Sequence, residues 1–388
     1  MLILTKIELF IYLFVILKET LCFCEESFVV ICDNLIDIKR NDTWPWRYVI
    51  IGSTQNKHNP PTQILNSRVM LDLVFVKSLT IIYQIESIDS TLLASSCKNL
   101  QYLNLYDNNI KFIEDETFED FPSLRELYLE NNHIEYLGRS VFKNSTLDVV
   151  SLSRNLIETI TTCFFQSKIK WLKINHNKLK FIRAGAFPIT LERLELEHNF
   201  LTSLNEGVFK NLRNLKELSM KHNRLTSLPD ISSLWMIHYL HLSYNNIKEI
   251  IYQFDQHKEL EYVDLSSNLI RNISVDGISW NSTPPMIILT FNRLINLKFE
   301  HPERKTDLVI YGNPWICDCL FNIEKTIREY KHIQTCELPY FKNGKLPMCI
   351  ENGKCGENEI DDSVINNFIE IVSTCENKNQ CNFHLENY

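Results

Sequence analysis

The feature that most constrains this chain is a phrase it repeats: LQYLNLYDNNI from Leu100, LRELYLENNHI from Leu124, LERLELEHNFL from Leu191 and LEYVDLSSNLI from Leu260. Starts fall at Leu100, Leu124, Leu147, Ile169, Leu191, Leu215, Ile237, Leu260 and Pro284, in steps of 22 to 24 residues. A period that tight excludes chance and asks for one supersecondary unit per step. A weaker unit opens near Val76, with Leu79, Ile81 and Ile88. A closing half-unit near Lys305 supplies Leu308, Ile310 and Asn313, for about ten coils.

Within each coil, residues three and five places after the start, such as Leu103 and Leu105, point inward along a short strand, and those between them face out. No coil is stable alone, so stacking must bury the leucines in one continuous core. An asparagine column follows: Asn108, Asn132, Asn155, Asn177, Asn199, Asn223, Asn245, Asn268, Asn292 and Asn313. Its amides suit the backbone groups that a buried turn would leave unpaired, so the column reads as scaffold. Phe118, Phe142, Phe165, Phe187 and Phe209 recur eighteen places after five consecutive starts and read as a convex-side apolar spine. The phrase is that of leucine-rich repeats. The expected fold class is an α/β leucine-rich-repeat solenoid, or horseshoe, with a parallel β-sheet on its concave face, an irregular or helical convex face and disulfide-stabilised caps.

The N-terminal residues carry an unbroken apolar run, Leu9 to Leu17, followed by Thr20-Leu21-Cys22-Phe23-Cys24. This reads as a secretory signal peptide, too short to favour a membrane span. No later segment has the length to cross a bilayer, and the tail lacks the pattern of a lipid-anchor signal, so a secreted, extracellular product is expected. Sequons at Asn41, Asn144, Asn272 and Asn281 are glycosylation candidates on that route. The formal charge of −8 makes nucleic acid a poor partner.

Cysteines mark the ends of the repeats. Cys24 and Cys32 bracket a strand-like stretch with no repeat phrase; cleavage of the leader is expected after Leu21, Cys22 or Cys24, and if Cys24 is retained it is a candidate to pair with Cys32. After Asn313 the text reads NPWICDC, then Ile323, Ile327 and Tyr330 at helical spacing, then Cys336, Cys349 and Cys355. Cys317, Cys319, Cys336, Cys349 and Cys355 are disulfide candidates of a C-terminal cap, with connectivity left open. Cys375 and Cys381 bring this region to seven cysteines, an odd count that leaves at least one thiol for another chain unless Cys24 or Cys32 changes the tally. Cys97 and Cys163 lie about three coils apart, roughly 14 Å at ~4.8 Å per strand, beyond the ~7 Å Cα limit of a bridge. They are expected as small buried hydrophobes. Between Cys355 and Cys375, Val364, Ile365, Phe368, Ile369 and Val372 share a helical face behind two aspartates, a helix that docks on the cap or meets a partner. The expected organisation is a signal peptide over 1–24, an N-terminal cap over 25–75, repeats over 76–312, a cysteine-rich cap over 313–355, and a short amphipathic helix with a cysteine-containing tail over 356–388.

That order, with a broken cap NPWICDC…YFKNGKLPMCIENGKC and a helix ending in cysteine, resembles the secreted leucine-rich-repeat immune proteins of mosquitoes, the LRIM type. With no heptads after the helix, and with Cys349 and Cys355 spread where that family places adjacent cysteines, it resembles a short, coil-less member. The resemblance implies pairing with a second leucine-rich-repeat chain in a disulfide-linked dimer through Cys375 or Cys381, and binding of a complement-like thioester protein.

Exposed strand positions line the expected concave face. One column runs Tyr102, Glu126, Val149, Trp171, Arg193, Glu217, Tyr239 and Tyr262; the next includes Asn104, Tyr128, Ser151, Lys173, Glu195, Ser219, His241 and Asp264. A third begins with Tyr106. Tyr102, Tyr106, Tyr128, Trp171, Lys173, Tyr239, His241 and Tyr262 are the protein-binding candidates, because tyrosine and tryptophan anchor interfaces. The competing reading is that aromatics simply favour half-exposed strands. His176, His198 and His222 share one position in consecutive coils. Imidazoles so spaced can sense acid or hold a metal, yet HN is an ordinary variant of the phrase and no ligand spacing supports zinc. Arg125, Asp148, Lys170, Glu192 and Lys216 alternate in sign one place after the start and are expected to pair laterally.

No catalytic, cofactor or metal motif is present. The expected function is a secreted, protein-binding recognition or scaffold factor of innate immunity. The alternatives are a soluble adhesion or signalling ligand and a matrix or inhibitory protein.

Overall fold

The computed structural model describes residues 29–32, 48–52, 76–82, 85–88, 98–316 with interruptions at 120, 139, 162–167, 251–253, 274–285, 297–307 and 311, and then 349–350 and 361–378. They belong to two compact units, one within Met1–Glu158 and Cys163–Lys173, the other within Thr159–Thr162 and Ile174–Tyr388.

In the first unit the parallel strands run β1 (Val29–Cys32), β2 (Tyr48–Gly52), β3 (Ser78–Ile82), β4 (Tyr102–Asn104), β5 (Glu126–Tyr128), β6 (Val149–Ser151) and β7 (Trp171–Lys173), each paired with the next. The second unit holds β8 (Arg193–Glu195), β9 (Glu217–Ser219), β10 (Tyr239–His241), β11 (Tyr262–Asp264), β12 (Met286–Ile288) and β13 (Leu308–Val309), also parallel. Register is set by the repeat itself: Leu103 lies opposite Leu127, and Leu218 opposite Leu240. β1 and β2 lie where no repeat phrase is legible, and Val49 opposite Leu79 carries the parallel ladder into that stretch.

The repeat strands bury their central residue, as in Tyr102-Leu103-Asn104; Ser151, Glu195, Ser219 and Asp264, expected to be exposed, are buried as well, covered by their neighbours on the strand face. Leu100, Leu103 and Leu105 are fully buried, as are Leu215, Leu218 and Met220. Burying such side chains contributes about 1.5–3 kcal/mol each, and only stacked coils can do it.

The asparagines stitch one coil to the next. Asn132 Nδ2 donates to Leu105 O of the preceding coil at 2.9 Å and to Leu129 O at 3.1 Å, while Oδ1 accepts from Ile110 N at 3.0 Å. Asn223 does the same in the second unit, to Leu196 O at 2.8 Å and from Leu201 N at 3.1 Å. Both side chains are buried. The residue before each asparagine adopts left-handed backbone, from Asp107 (φ 56°) and Asn131 (φ 56°) through His198 (φ 52°) to Phe291 (φ 55°). That conformation aims its N–H at the next coil, as from His198 N to Lys221 O at 2.9 Å. Leucine and asparagine are therefore fixed by the coil, while the residue before asparagine bears the backbone strain and keeps its side chain free to vary.

Phe118 stacks on Phe142 with centroids 5.8 Å apart, and Phe187 on Phe209 at 6.5 Å. At the C-terminal end, Trp315 is fully buried and its Nε1 donates to Ile310 O at 3.0 Å. The amphipathic segment is helix α1 (Asp362–Lys378), and it docks: Ile365 is buried against Ile295 and Ile316, with Ile369 packed beside it. Its two aspartates divide the labour. Asp361 caps the helix, accepting from Ser363 N at 2.8 Å, and Asp362 pairs with Arg271. Val364, expected on the apolar face, is 42% exposed because the docked face is narrow and centres on Ile365.

Residues 1–24, expected as a leader, Cys97, Cys163, Phe165, the sequons at Asn41 and Asn281, and Cys24, Cys317, Cys319, Cys336, Cys355 and Cys381 lie outside the described residues. Cys32 ends β1, Cys349 opens a short strand paired with Trp315–Ile316, and Cys375 lies on α1. Asn144 is exposed in a left-handed turn (φ 58°) with Nδ2 donating to Glu119 Oε1, and Asn272 opens a two-residue strand beside Glu249–Ile250. Among the described residues no helix is long and apolar enough to cross a membrane.

Candidate functional site

The first unit presents Tyr102, Glu126, Val149 and Trp171 in lateral register, and beside them Asn104, Tyr128, Ser151 and Lys173. The structure brings Tyr102 and Tyr128 together, ring centroids 5.1 Å apart and tilted by 39°. Tyr128 donates to Glu126 Oε2 at 2.9 Å, and Asn104 Nδ2 to Tyr102 Oη at 3.3 Å. Burial, then the bond to Glu126, pushes the Tyr128 phenol well above its usual range. Lys173 Nζ sits 4.0 Å above the Trp171 ring, a cation–π contact that holds both side chains against the sheet. Burial raises the Glu130 carboxyl, and the charge of Lys173 draws it back. Tyr106 stands at the margin, 40% exposed.

In the second unit the strand face is a charge network with an aromatic end. Arg193 bridges Glu195 at 2.8 Å and Glu217 at 3.2 Å; Asn175 donates to Glu195 at 2.7 Å and Ser219 to Glu197 at 2.6 Å. His241 lies 3.9 Å from Glu217, and its ring centroid 5.3 Å from that of Tyr262. Burial, then Lys221, holds the His241 imidazole below its usual value, so it is neutral at neutral pH. Tyr239 lies opposite Tyr262, is 40% exposed, and donates to Glu261 Oε2 at 2.8 Å, a bond that raises its phenol.

Two further exposed apolar residues, which the repeat phrase hides, lie just before this strand in the chain. Trp235 is 68% exposed and Met236 40%, immediately before the strand that carries Tyr239. They precede the repeat start at Ile237, where the phrase imposes no residue type. Their signal was their size and apolarity in a linking segment.

The alternating rim charges pair in part. Lys170 reaches Asp148 and Lys216 reaches Glu192, both at 2.7 Å, whereas Arg125 Nη1 donates to Thr146 O at 2.9 Å and Thr146 Oγ1 at 2.6 Å. The histidines form a stack: His176 to His198 at 4.2 Å, His198 to His222 at 4.1 Å, and His222 to Tyr244 at 4.2 Å, all within 10° of parallel. Parallel rings do not converge their nitrogens on one point, and among the described residues no cluster is arranged to hold a metal ion.

The family model described as "Leucine rich repeat" matches residues 83–134 and 189–247. The leucine-rich-repeat domain of APL1B has the same fold, with a TM-score of 0.58 and 20% identity over 75% of this chain and 82% of that one. This is a leucine-rich-repeat protein. Toll, in its complex with Spatzle from Drosophila, is a second structural neighbour of the repeats, with a TM-score of 0.55 and 18% identity over 69% of this chain and 41% of that one. In sequence the repeats are 30% identical to human lumican over 233 residues, 55% of this chain and 61% of lumican. They are 32% identical to human Toll-like receptor 2 over 182 residues, 44% of this chain and 22% of the receptor. The leucine-rich-repeat protein thus spans about three fifths of the lumican it matches.

Proposed function

We propose that this is a secreted, protein-binding leucine-rich-repeat protein that recognises a protein partner through its exposed strand face, as a recognition or scaffold factor of innate immunity. The observation that carries the reading is the aromatic end of the second unit. Tyr239 is presented in register with Tyr262, whose ring lies by His241, and Trp235 and Met236, a few residues before it in the chain, are exposed. Large, stiff aromatic side chains held by bonds such as Tyr239 to Glu261 lose little entropy on binding and are the residue types that dominate interface energetics. The Tyr102–Tyr128 pair and the Trp171–Lys173 contact offer the same chemistry in the first unit. Toll engages Spatzle in the complex named above, and the resemblance of the C-terminal region to mosquito immune proteins adds a complement-like thioester protein as partner. The same resemblance makes Cys375 or Cys381 the link to a second leucine-rich-repeat chain.

The test is comparative capture from extracellular fluid by the wild-type chain and by Trp235→Ala and Tyr239→Ala. A partner captured by wild type and by an off-face control, Lys210→Ala, but lost from both aromatic variants supports the reading. Equal capture by all four sinks it. Non-reducing electrophoresis tests the link: a disulfide-joined species that collapses in Cys375→Ser or Cys381→Ser is expected, and a monomer with an accessible thiol refutes it.

A further inference from the structure

The ring stack of the second unit ends at Tyr244. Three of its members stand five residues after paired strand positions: His198 after Arg193, His222 after Glu217 and Tyr244 after Tyr239 are joined by the β8–β9–β10 register. Each holds left-handed backbone, φ 52–57°. The coil spacing, rather than any pairwise affinity, therefore sets the ring spacing of 4.1 to 4.2 Å. The next coil continues the register, Tyr239 opposite Tyr262, and places Ser267 (φ 53°) at the same site. Serine reaches only one heavy atom beyond Cβ, so no ring among the described residues continues the stack there, and Ser267 itself is half-buried. One coil further, Phe291 lies over Gly312, whose Cβ, if present, would sit 2.8 Å from the Phe291 ring. Tyr244 is stacked on one side by His222 and is still 54% exposed.

We infer that the space above Ser267 is a stacking slot that accepts an aromatic side chain of a protein partner, which continues the His198–His222–Tyr244 stack by one ring. A ring placed one coil step beyond Tyr244 meets its face at the distance already repeated through the stack, within the range of favourable offset stacking. The formal charge of −8 disfavours a nucleobase brought in on a phosphate backbone, whereas an aromatic side chain arrives without that charge. This surface lies on the turns after the strands and is separate from the strand-face site. Only the nature of its occupant rests on the protein-binding reading.

The slot is tested on the full chain by saturation-transfer NMR with N-acetyl-L-tryptophanamide as probe and N-acetyl-L-leucinamide as aliphatic control. Saturable transfer is expected for the tryptophan probe and none for the leucine control. Tyr244→Ala weakens the probe roughly fivefold, the worth of one stacked pair. Ser267→His, a residue that this backbone site already accepts at His176, His198 and His222, fills the slot from within and abolishes binding. Tyr239→Ala leaves it unchanged, so failure of the strand-face reading and failure of the slot are distinguishable. Equal binding of both probes, or unaltered binding in Ser267→His with an unchanged melting temperature, overturns the proposal.

Discussion

The imidazole rings of His198 and His222 lie parallel with centroids 4.1 Å apart, each on left-handed backbone in adjoining coils. His176 and Tyr244 close the stack at its two sides, and Glu197 and Lys221 are the charges that bear on His222. Burial, then the neighbouring His198, lowers the His222 pKa. The folded state thus binds this proton less readily than the unfolded chain, whose histidines titrate near ~6.5. The stabilisation is complete above about pH 6.5 and is lost as pH falls below that value. Acidification from pH 7.5 to 5 is expected to lower the melting temperature less steeply in His222→Asn, which tolerates left-handed backbone, than in wild type. His241, also lowered by burial, keeps a residual slope of the same sign in both proteins. Identical pH slopes in the two proteins remove the stack from the account.

Removing a column asparagine leaves backbone groups of two coils unpaired at once. Asn223→Ala strips the bonds to Leu196 O, Met220 O and Leu201 N, all buried. A loss of about 1–3 kcal/mol is expected in urea unfolding, the cost of buried groups left unsatisfied. The exposed His222→Asn change beside it serves as the mild comparison.

Helix α1 is held on the repeats by Ile365, 2% exposed against Ile295 and Ile316, with Ile369 packed beside it and Asp362 paired to Arg271. Ile365→Ala should cost about 2–5 kcal/mol of docking free energy, and most of a helix's stability in a folded chain comes from such packing. Hydrogen exchange should then show α1 amides unprotected while β8 to β11 stay protected. Retained protection would mean that other contacts hold the helix.

Trp235→Ala and Tyr239→Ala should each weaken partner binding by more than ~1 kcal/mol, as interface anchors do. Both side chains are exposed, so folding stability should stay within about 0.5 kcal/mol. Titration calorimetry with a captured partner, read beside thermal unfolding, separates the two effects.

Much of the fold was legible because a coil admits few solutions. Leu103 and Leu218 must point inward wherever a strand of this period stacks on its copies, and Asn132 and Asn223 sit where a buried turn needs an amide that can both donate and accept. The aromatic columns were legible as positions too, since alternation alone sends Tyr102, Tyr128, Tyr239 and Tyr262 outward. Their company was not. That Tyr239 leans on Glu261, that Arg193 knits Glu195 to Glu217, and that Arg125 chooses Thr146 over Asp148 depend on distances between side chains of different coils. Trp235 and Met236 escaped because they lie outside the phrase.

The sequence by itself determined the repeat, its register, its asparagine ladder and which residues face outward, because these follow from a period of 22 to 24 residues and the two-residue alternation of a strand. Only the tertiary structure decided that the residue before each asparagine is left-handed, that three histidines and Tyr244 form one stack, and that α1 docks through Ile365. The physical reason is that backbone periodicity is local and is written in each coil. Side-chain company is set by contacts about 22 residues apart in the chain but one coil apart in space, which the repeated phrase leaves unspecified.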